Sequence, residues 1–169
     1  FIDGDKGILR YRGYPIEQLA AQSTFLETAY LVLYGELPTS EQLQDFENRV
    51  RRHTLIDERL RELFRAFPRR SHPMPVLAAA VTALSTFSKD TSVSDPEQID
   101  LATIRLIAKL PTLAAYGYKS STGHPFLFPD NSLGYVENFL RLSFGYPTEP
   151  YEIDPRYVLG KGKLDEVML

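Results

Sequence analysis

The stretch FIDGDKGILRYRGYPI (Phe1–Ile16) determines how the fold begins. Its segment Gly4-Asp5-Lys6-Gly7 lies between two short apolar runs, and glycine tolerates the positive φ angles of a tight hairpin turn. Gly13 then ends the second strand, and Pro15 suits the first turn of a helix. The pattern predicts a β-hairpin over residues 1–13 and helices from residue 15 onward. Because no initiator Met precedes this stretch, we expect the chain to begin inside a larger protein.

Most of the remaining chain repeats apolar residues with helical spacing. Thr24-x-x-Glu27 and Thr39-x-x-Gln42 have the form of capping boxes, and each precedes a run with an apolar face. Before Pro68, apolar residues at i, i+3, i+4 and i+7 predict an amphipathic helix. Its buried stripe is predicted to contain Leu60, Leu63, Phe64 and Phe67. Its solvent-facing side is predicted to contain Arg59, Arg61, Glu62 and Arg65.

The segment Pro73–Leu84 has almost no polar residue, so a helix there needs cover on all sides. It is too short to span a bilayer. It is therefore either the centre of the domain or a surface that a second subunit covers. Its many small residues allow another helix to approach closely.

Proline and glycine mark the predicted helix boundaries and loops in the second half of the chain. Ile99 to Leu110 form a helical pattern that Pro111 is predicted to kink or break, and a compact loop is predicted over residues 120–131. A helix from Ser132 to Phe144 is predicted to be capped by Asp130 or Asn131. Asp154-Pro155 also signals a helix start, which Gly160-Lys161-Gly162-Lys163 would weaken. Without a repeat or linker, residues 1–169 are predicted to form a single, mainly α domain with one hairpin.

Composition restricts the possible function classes. The chain has 169 residues, 43% of them hydrophobic, which is enough for one domain with a core. It has no cysteine, which excludes disulfides, thiolate metal sites and a cysteine nucleophile. It has no charged-then-apolar leader and no apolar run of about 18 residues, so no membrane partner is expected. We therefore expect a soluble, cytoplasmic protein.

The charge is distributed unevenly along the chain. The net charge is −3, yet residues 49–70 contain eight arginines against three acidic residues. The simplest interpretation is a pair of solvated helix faces that pair with acidic neighbours. Nucleic acid is not expected as a partner, because the overall balance is acidic and no stacking pattern accompanies the arginines. A phosphorylated small molecule remains the alternative ligand for this stretch.

The search for catalytic groups finds no complete constellation. Each of the three histidines, His53, His72 and His124, adjoins a helix end, a helix entry or a proline loop. No nucleophile-elbow motif, zinc-binding HExxH or acidic calcium loop occurs. We therefore assign no catalytic residue and no metal ligand, and we expect no tightly bound cofactor.

One cationic set could bind an anion. Arg52-His53-Thr54 ends one predicted helix, while Arg105 and Lys109 lie four residues apart on one face of another. Guanidinium and ammonium groups that converged from two helices would suit a pyrophosphate. The spacing alone does not establish that the two segments meet.

Several motifs together resemble one family. They are Phe1–Ile16, Arg52-His53-Thr54, Ser71-His72-Pro73-Met74, Arg105-Leu106-Ile107-Ala108-Lys109-Leu110-Pro111-Thr112 and Glu149-Pro150-Tyr151-Glu152. They occur in the order and nearly the spacing of bacterial citrate synthases, and the resemblance extends over residues 1 to about 158. It implies the N-terminal part of a multi-helical large domain, with the small domain absent. It also implies an acyltransferase of the tricarboxylic acid cycle, which condenses acetyl-CoA with oxaloacetate and water to citrate and CoA.

The resemblance places the chemistry outside this chain. The family uses one His and one Asp to enolise the acetyl group and a second His to polarise oxaloacetate, within motifs that this sequence lacks. The chain is therefore expected to be catalytically incompetent as given. Two alternatives remain: a 2-methylcitrate synthase that takes propionyl-CoA, or a non-catalytic module for oligomerisation or regulation.

The resemblance also implies partners and an effector. It predicts a homodimer or hexamer in which the helix Pro73–Phe87 forms an interface. In hexameric members the matching positions bind NADH as an allosteric inhibitor, and the candidates here are Arg52, His53, Thr54, Arg105 and Lys109. The tyrosine that those enzymes use aligns with Ser88, which weakens the NADH hypothesis.

Overall fold

The fold begins with a small antiparallel sheet in a computed structural model that describes residues 1–87, 94–154 and 158. Strand β1 (Ile2–Asp3) pairs with β2 (Ile8–Tyr11), as the hairpin prediction requires. A third strand, β3 (Tyr14–Pro15), pairs with β2 on its other side. The prediction that Pro15 occupies the first turn of a helix was wrong, because its extended backbone completes the sheet instead.

The connection between β2 and β3 is a two-residue turn. Arg12 and Gly13 have φ angles of 48° and 93°, the left-handed values of a type I′ turn. This turn type matches the twist of the flanking strands. Type I′ turns usually have Asn or Asp at their first central position, where this chain has Arg12. The sequence pattern therefore did not predict the third strand.

Chain contacts divide the protein into two units. Unit 1 comprises residues 1–48 with the described residues 154 and 158, and unit 2 comprises residues 49–153. The single domain predicted over residues 1–169 stays a prediction. The mainly α class with an N-terminal hairpin is confirmed.

Helices follow the sheet in unit 1. They are α1 (Ile16–Gln22), α2 (Phe25–Tyr34) and the start of α3 (Ser40–Arg51). The capping box of α2 is confirmed, since Glu27 N donates to Thr24 Oγ1 and Thr24 N donates to the Glu27 carboxylate. Thr39 and Gln42 make the same reciprocal pair before α3.

Unit 2 is built around one long helix. Its elements are α4 (Leu60–Ala66), α5 (Pro73–Leu84), a 3₁₀ turn (Ser85–Phe87), α6 (Pro96–Thr122) and α7 (Tyr135–Phe144). Helix α6 packs against α4, α5 and α7. The core cluster joins all four helices and includes Leu60, Phe64, Val76, Ala80, Leu113, Tyr116 and Leu142.

Helix α6 runs without a break through Pro111, so the predicted break was wrong, and the alternative of a kink stays a prediction. Proline has no N–H for the carbonyl of Ile107, four residues earlier. The hydroxyl of Tyr135 donates to that carbonyl at 2.9 Å instead. The helix also continues through residues 120–122, part of the predicted loop, until Gly123 ends it at φ 75°.

Two further expectations need correction. Arg61 was assigned to the solvent-facing side of α4, but its side chain is only 16% exposed because it lies over the rings of Phe126 and Phe128. Helix α7 begins at Tyr135 rather than at residue 132, with Gly134 as its N-cap. Glu137 supplies the cap by accepting from Gly134 N, while Asp130 holds the turn before it.

Helix α5 is not the centre of the domain. Val76 and Ala80 are buried, whereas Met74 is 62% exposed and Ala78 is also exposed. Among the described residues, no helix is both long and apolar enough to cross a membrane. The predicted helix start at Pro155, Ser88 and the Gly160–Lys163 segment lie outside the described residues.

Candidate functional site

Lys109 joins the segment after α3 to the face of α6. Its Nζ donates to the backbone carbonyl of His53 at 2.7 Å and also to the carbonyl of Leu55. One turn further along α6, Thr112 Oγ1 donates to the carbonyl of Thr54 at 2.9 Å. These bonds satisfy carbonyls that follow the end of α3 and hold residues 53–55 against α6. The two segments of the cationic set therefore do meet.

The positive charges lie close enough to affect one another. Burial lowers the pKa of His53, and the charges of Arg105 and Lys109 lower it further. Arg49 has a smaller effect in the same direction. Burial and Arg105 also lower the pKa of Lys109. A site whose cations repel one another in this way gains electrostatic stabilisation from a bound anion.

The side chains that meet around Lys109 form what we call the cationic cluster, and only part of the predicted cationic set belongs to it. His53, Arg105 and Lys109 interact electrostatically, and Thr54 is held beside them through its backbone. The side chain of Arg52 is exposed, and within residues 1–87, 94–154 and 158 no hydrogen bond, ion pair or ring contact joins it to the other four. The position of Arg52 thus does not test its predicted role.

Two residues of the cluster were missed. Arg49 lies one helical turn before His53 and pairs with Asp100 of α6. Asn131 approaches from the loop before α7, with its Oδ1 3.5 Å from Thr54 Oγ1. The four-residue spacing between Arg49 and His53 could have revealed the first. Nothing local in the sequence indicates the second.

The other two histidines have structural contacts. Nδ1 of His72 accepts from Met74 N at 3.2 Å and so caps α5. The ring of His124 lies edge-on to Tyr146, with 5.2 Å between centroids. In the described part of the chain, no group of three or more His, Asp or Glu residues could hold a metal ion.

Sequence comparison identifies relatives over nearly the whole chain. The family model described as citrate synthase, C-terminal domain, matches residues 1–158. Citrate synthase 1 of Mycobacterium tuberculosis is 60% identical over 159 residues, which are 94% of this chain and 37% of that protein. The citrate synthase of Corynebacterium glutamicum is 53% identical over 165 residues, or 97% and 38% of the two chains. The chain thus spans somewhat more than a third of these relatives' length.

Solved structures agree with the sequence relatives. Citrate synthase from Thermotoga maritima aligns with a TM-score of 0.75 and 31% identity, over 94% of this chain and 39% of that one. The citrate synthase of Thermoplasma acidophilum was solved as a ternary complex with carboxymethyl coenzyme A and oxaloacetate. It aligns with a TM-score of 0.78 and 30% identity, over 86% of this chain and 38% of that one. With its helical core around α6 and a family match over residues 1–158, the chain belongs to the citrate synthase family.

Proposed function

We propose that this chain is part of a citrate synthase, an acyltransferase that condenses acetyl-CoA with oxaloacetate and water to give citrate and CoA. The observation that carries the proposal is 60% identity over 159 residues to a citrate synthase. The Thermoplasma neighbour, bound to a coenzyme A derivative and oxaloacetate, supports the same substrates. A cytoplasmic enzyme of the tricarboxylic acid cycle fits this activity.

Within that enzyme, residues 1–169 supply framework rather than chemistry. His72 is engaged as a helix cap, and the cations around His53 favour its neutral form. Neither arrangement resembles a histidine poised beside an acidic partner to move a proton. The enolising His and Asp and the carbonyl-polarising His are therefore expected elsewhere in the parent protein.

The test is turnover by the intact parent protein. CoA release should require oxaloacetate and should be faster with acetyl-CoA than with propionyl-CoA. Faster release with propionyl-CoA would instead identify a 2-methylcitrate synthase. No release with either thioester, in a protein that still self-associates, would favour the non-catalytic module.

The cationic cluster is proposed as an allosteric site for the pyrophosphate of NADH. Arg105 offers a planar guanidinium suited to bidentate phosphate contacts, and Lys109 and His53 add positive charge or hydrogen-bond donors. Burial and the charge of Arg105 lower the pKa values of His53 and Lys109, and this supports an anion as the missing counter-charge. Arg52 and Thr54 remain candidates at the edge of the cluster.

Titration calorimetry of the parent protein with NADH tests this site. Arg105→Ala should weaken binding by about tenfold or more, since a charge-assisted hydrogen bond is lost. Arg70→Ala, which removes an exposed arginine outside the cluster, is the matched control. No measurable binding by the parent would end the NADH hypothesis, whereas binding of pyrophosphate alone would retain an anion site without the nucleotide.

Helix α5 is proposed to contact a second copy of the chain in a homodimer or hexamer. A groove of about 340 Å³ between α5 and α6 is lined mainly by apolar residues, among them Met74, Leu77, Leu113 and Ala114. Exposed apolar surface of this kind is typical of an interface. Met74→Glu should shift the parent toward smaller species in sedimentation velocity. An unchanged oligomer would contradict the proposed contact through α5.

A further inference from the structure

A second basic pocket lies at the far end of α6 from the cationic cluster. It has a volume of about 470 Å³, and three arginines, Arg61, Arg65 and Arg69, line it together with His124. Among the described residues, none that line the pocket is acidic. Arg105 and Ser120, which mark the two sites on α6, are separated by about 22 Å along the helix axis. The pocket is thus distinct from the proposed NADH site.

Arg61 is held in place on one side of the pocket. Its guanidinium lies over the ring of Phe126, 5.4 Å from the centroid, and Nη1 pairs with Glu58. Its Nε is buried and has no hydrogen-bond partner among the described residues. Such a guanidinium is pre-organised by its neighbours and retains an unused donor.

Arg69 supplies charge that no acidic group balances. Arg65 pairs with Glu62 at 2.9 Å, whereas the described part of the chain provides no ion pair to Arg69. Its guanidinium packs against Gly123, where an added Cβ would lie 3.7 Å from Nη2. The left-handed φ of 75° at Gly123 ends α6 at this point and directs the chain toward His124.

We propose that this pocket binds the phosphate group of a small phosphorylated molecule, with Arg65, Arg69 and His124 as its principal contacts. Guanidinium forks match phosphate oxygens in pairs. Glu58 and Glu62 pair with Arg61 and Arg65 from outside the lining, so the net positive charge of the pocket comes chiefly from Arg69, which has no ion pair among the described residues. The volume exceeds that of a single phosphate group, so it leaves room for the attached organic part beside Phe67 and Pro125. This site goes beyond the proposed catalytic and NADH functions.

Titration of the intact parent protein with inorganic phosphate, followed by ³¹P NMR line width and calorimetry, tests the proposal. Arg69→Gln and Arg65→Gln should each weaken phosphate binding by about tenfold. Arg70→Gln is the matched control, because Arg70 is the neighbouring exposed arginine and does not line the pocket. It should change the affinity by less than about twofold, within the range expected for a surface charge. Thermal unfolding of each variant confirms that it is folded.

Two further measurements separate this site from the others. Arg105→Gln should leave the Arg69-dependent phosphate binding unchanged, which would show that the pocket acts independently of the NADH site. Malonate, a dicarboxylate, should compete poorly with phosphate. The proposal is overturned if the parent binds no phosphate at millimolar concentrations, if Arg69→Gln and Arg70→Gln bind equally, or if malonate binds as well as phosphate does.

Discussion

The hydroxyl of Tyr135 donates a hydrogen bond to the carbonyl of Ile107, the acceptor that Pro111 leaves without its helical N–H. Tyr135 lies in the first turn of α7, so this single bond also fastens α7 to α6. It explains how a 27-residue helix passes through a proline.

Tyr135→Phe should therefore lower the free energy of unfolding by about 1 to 2 kcal/mol, because a half-buried carbonyl loses its donor. Pro111→Ala restores a backbone N–H, so the same tyrosine change should cost less in that background. Urea unfolding of the four proteins of this double-mutant cycle measures the coupling. Additive effects would show that the hydroxyl does not substitute for the proline.

Alkaline pH should destabilise the protein through the same Tyr135 hydroxyl that donates to Ile107. Burial raises the pKa of Tyr135 from 10.0 to about 12. The folded protein therefore holds the phenolic proton at pH values where the unfolded chain has lost it, and stability falls as pH rises from about 10 to 12. The slope of unfolding free energy against pH in this window should be smaller in Tyr135→Phe. Equal slopes in the two proteins would contradict the assigned pKa.

How far the sequence predicts the fold depends on how local each interaction is. The capping box of Thr24 and Glu27 was predictable because both partners lie within one helical turn. The course of α6 was not, because the donor that rescues Pro111 lies 24 residues away at Tyr135. Arg61 was misplaced for the same reason, since the rings that cover it follow more than sixty residues later.

The candidate site shows the same division. The four-residue spacing of Arg105 and Lys109 predicted a shared face, and the structure places that face beside His53. The sequence of either segment does not predict that the two segments meet. The contact is created by hydrogen bonds from Lys109 and Thr112 to the backbone of residues 53–55. The exposed Arg52 illustrates that adjacency to His53 in sequence does not ensure a contact.

His53 should report anion binding through its ionisation. Its pKa is lowered below 6.5 by burial and by the charges of Arg105 and Lys109. A bound pyrophosphate would offset those charges and raise the pKa, so pyrophosphate should bind more tightly as pH falls through the pKa of the histidine. Calorimetry between about pH 5 and 8 on the parent and on His53→Gln measures this, with the slope of log affinity against pH smaller in the variant. A slope that His53→Gln leaves unchanged would assign the proton to another group.

The pKa of His53 also has a consequence for stability. Because the folded-state pKa lies below that of the unfolded chain, the unfolded chain binds more protons as pH falls from 6.5. The free energy of unfolding therefore has its full value above pH 6.5, and it decreases as pH falls from 6.5 through the folded-state pKa of His53. His53→Gln should flatten the loss of stability in this range, as measured by urea unfolding at a series of pH values. His72→Gln, at the exposed cap of α5, is the comparison variant.

Among the glycines in the described part of the chain, Gly145 is the one where an added methyl group would make the shortest contact. A Cβ there would lie 2.7 Å from the carbonyl oxygen of Arg141 and 3.1 Å from Cδ1 of Leu127. The carbonyl of Gly145 itself accepts from the buried Nζ of Lys119, so a backbone shift would also disturb that bond. Gly145→Ala should lower the free energy of unfolding by about 1 to 3 kcal/mol, the range typical of overpacking. Gly4→Ala, whose Cβ would meet nothing within 4 Å, should be nearly neutral, and equal effects at the two glycines would refute the steric explanation.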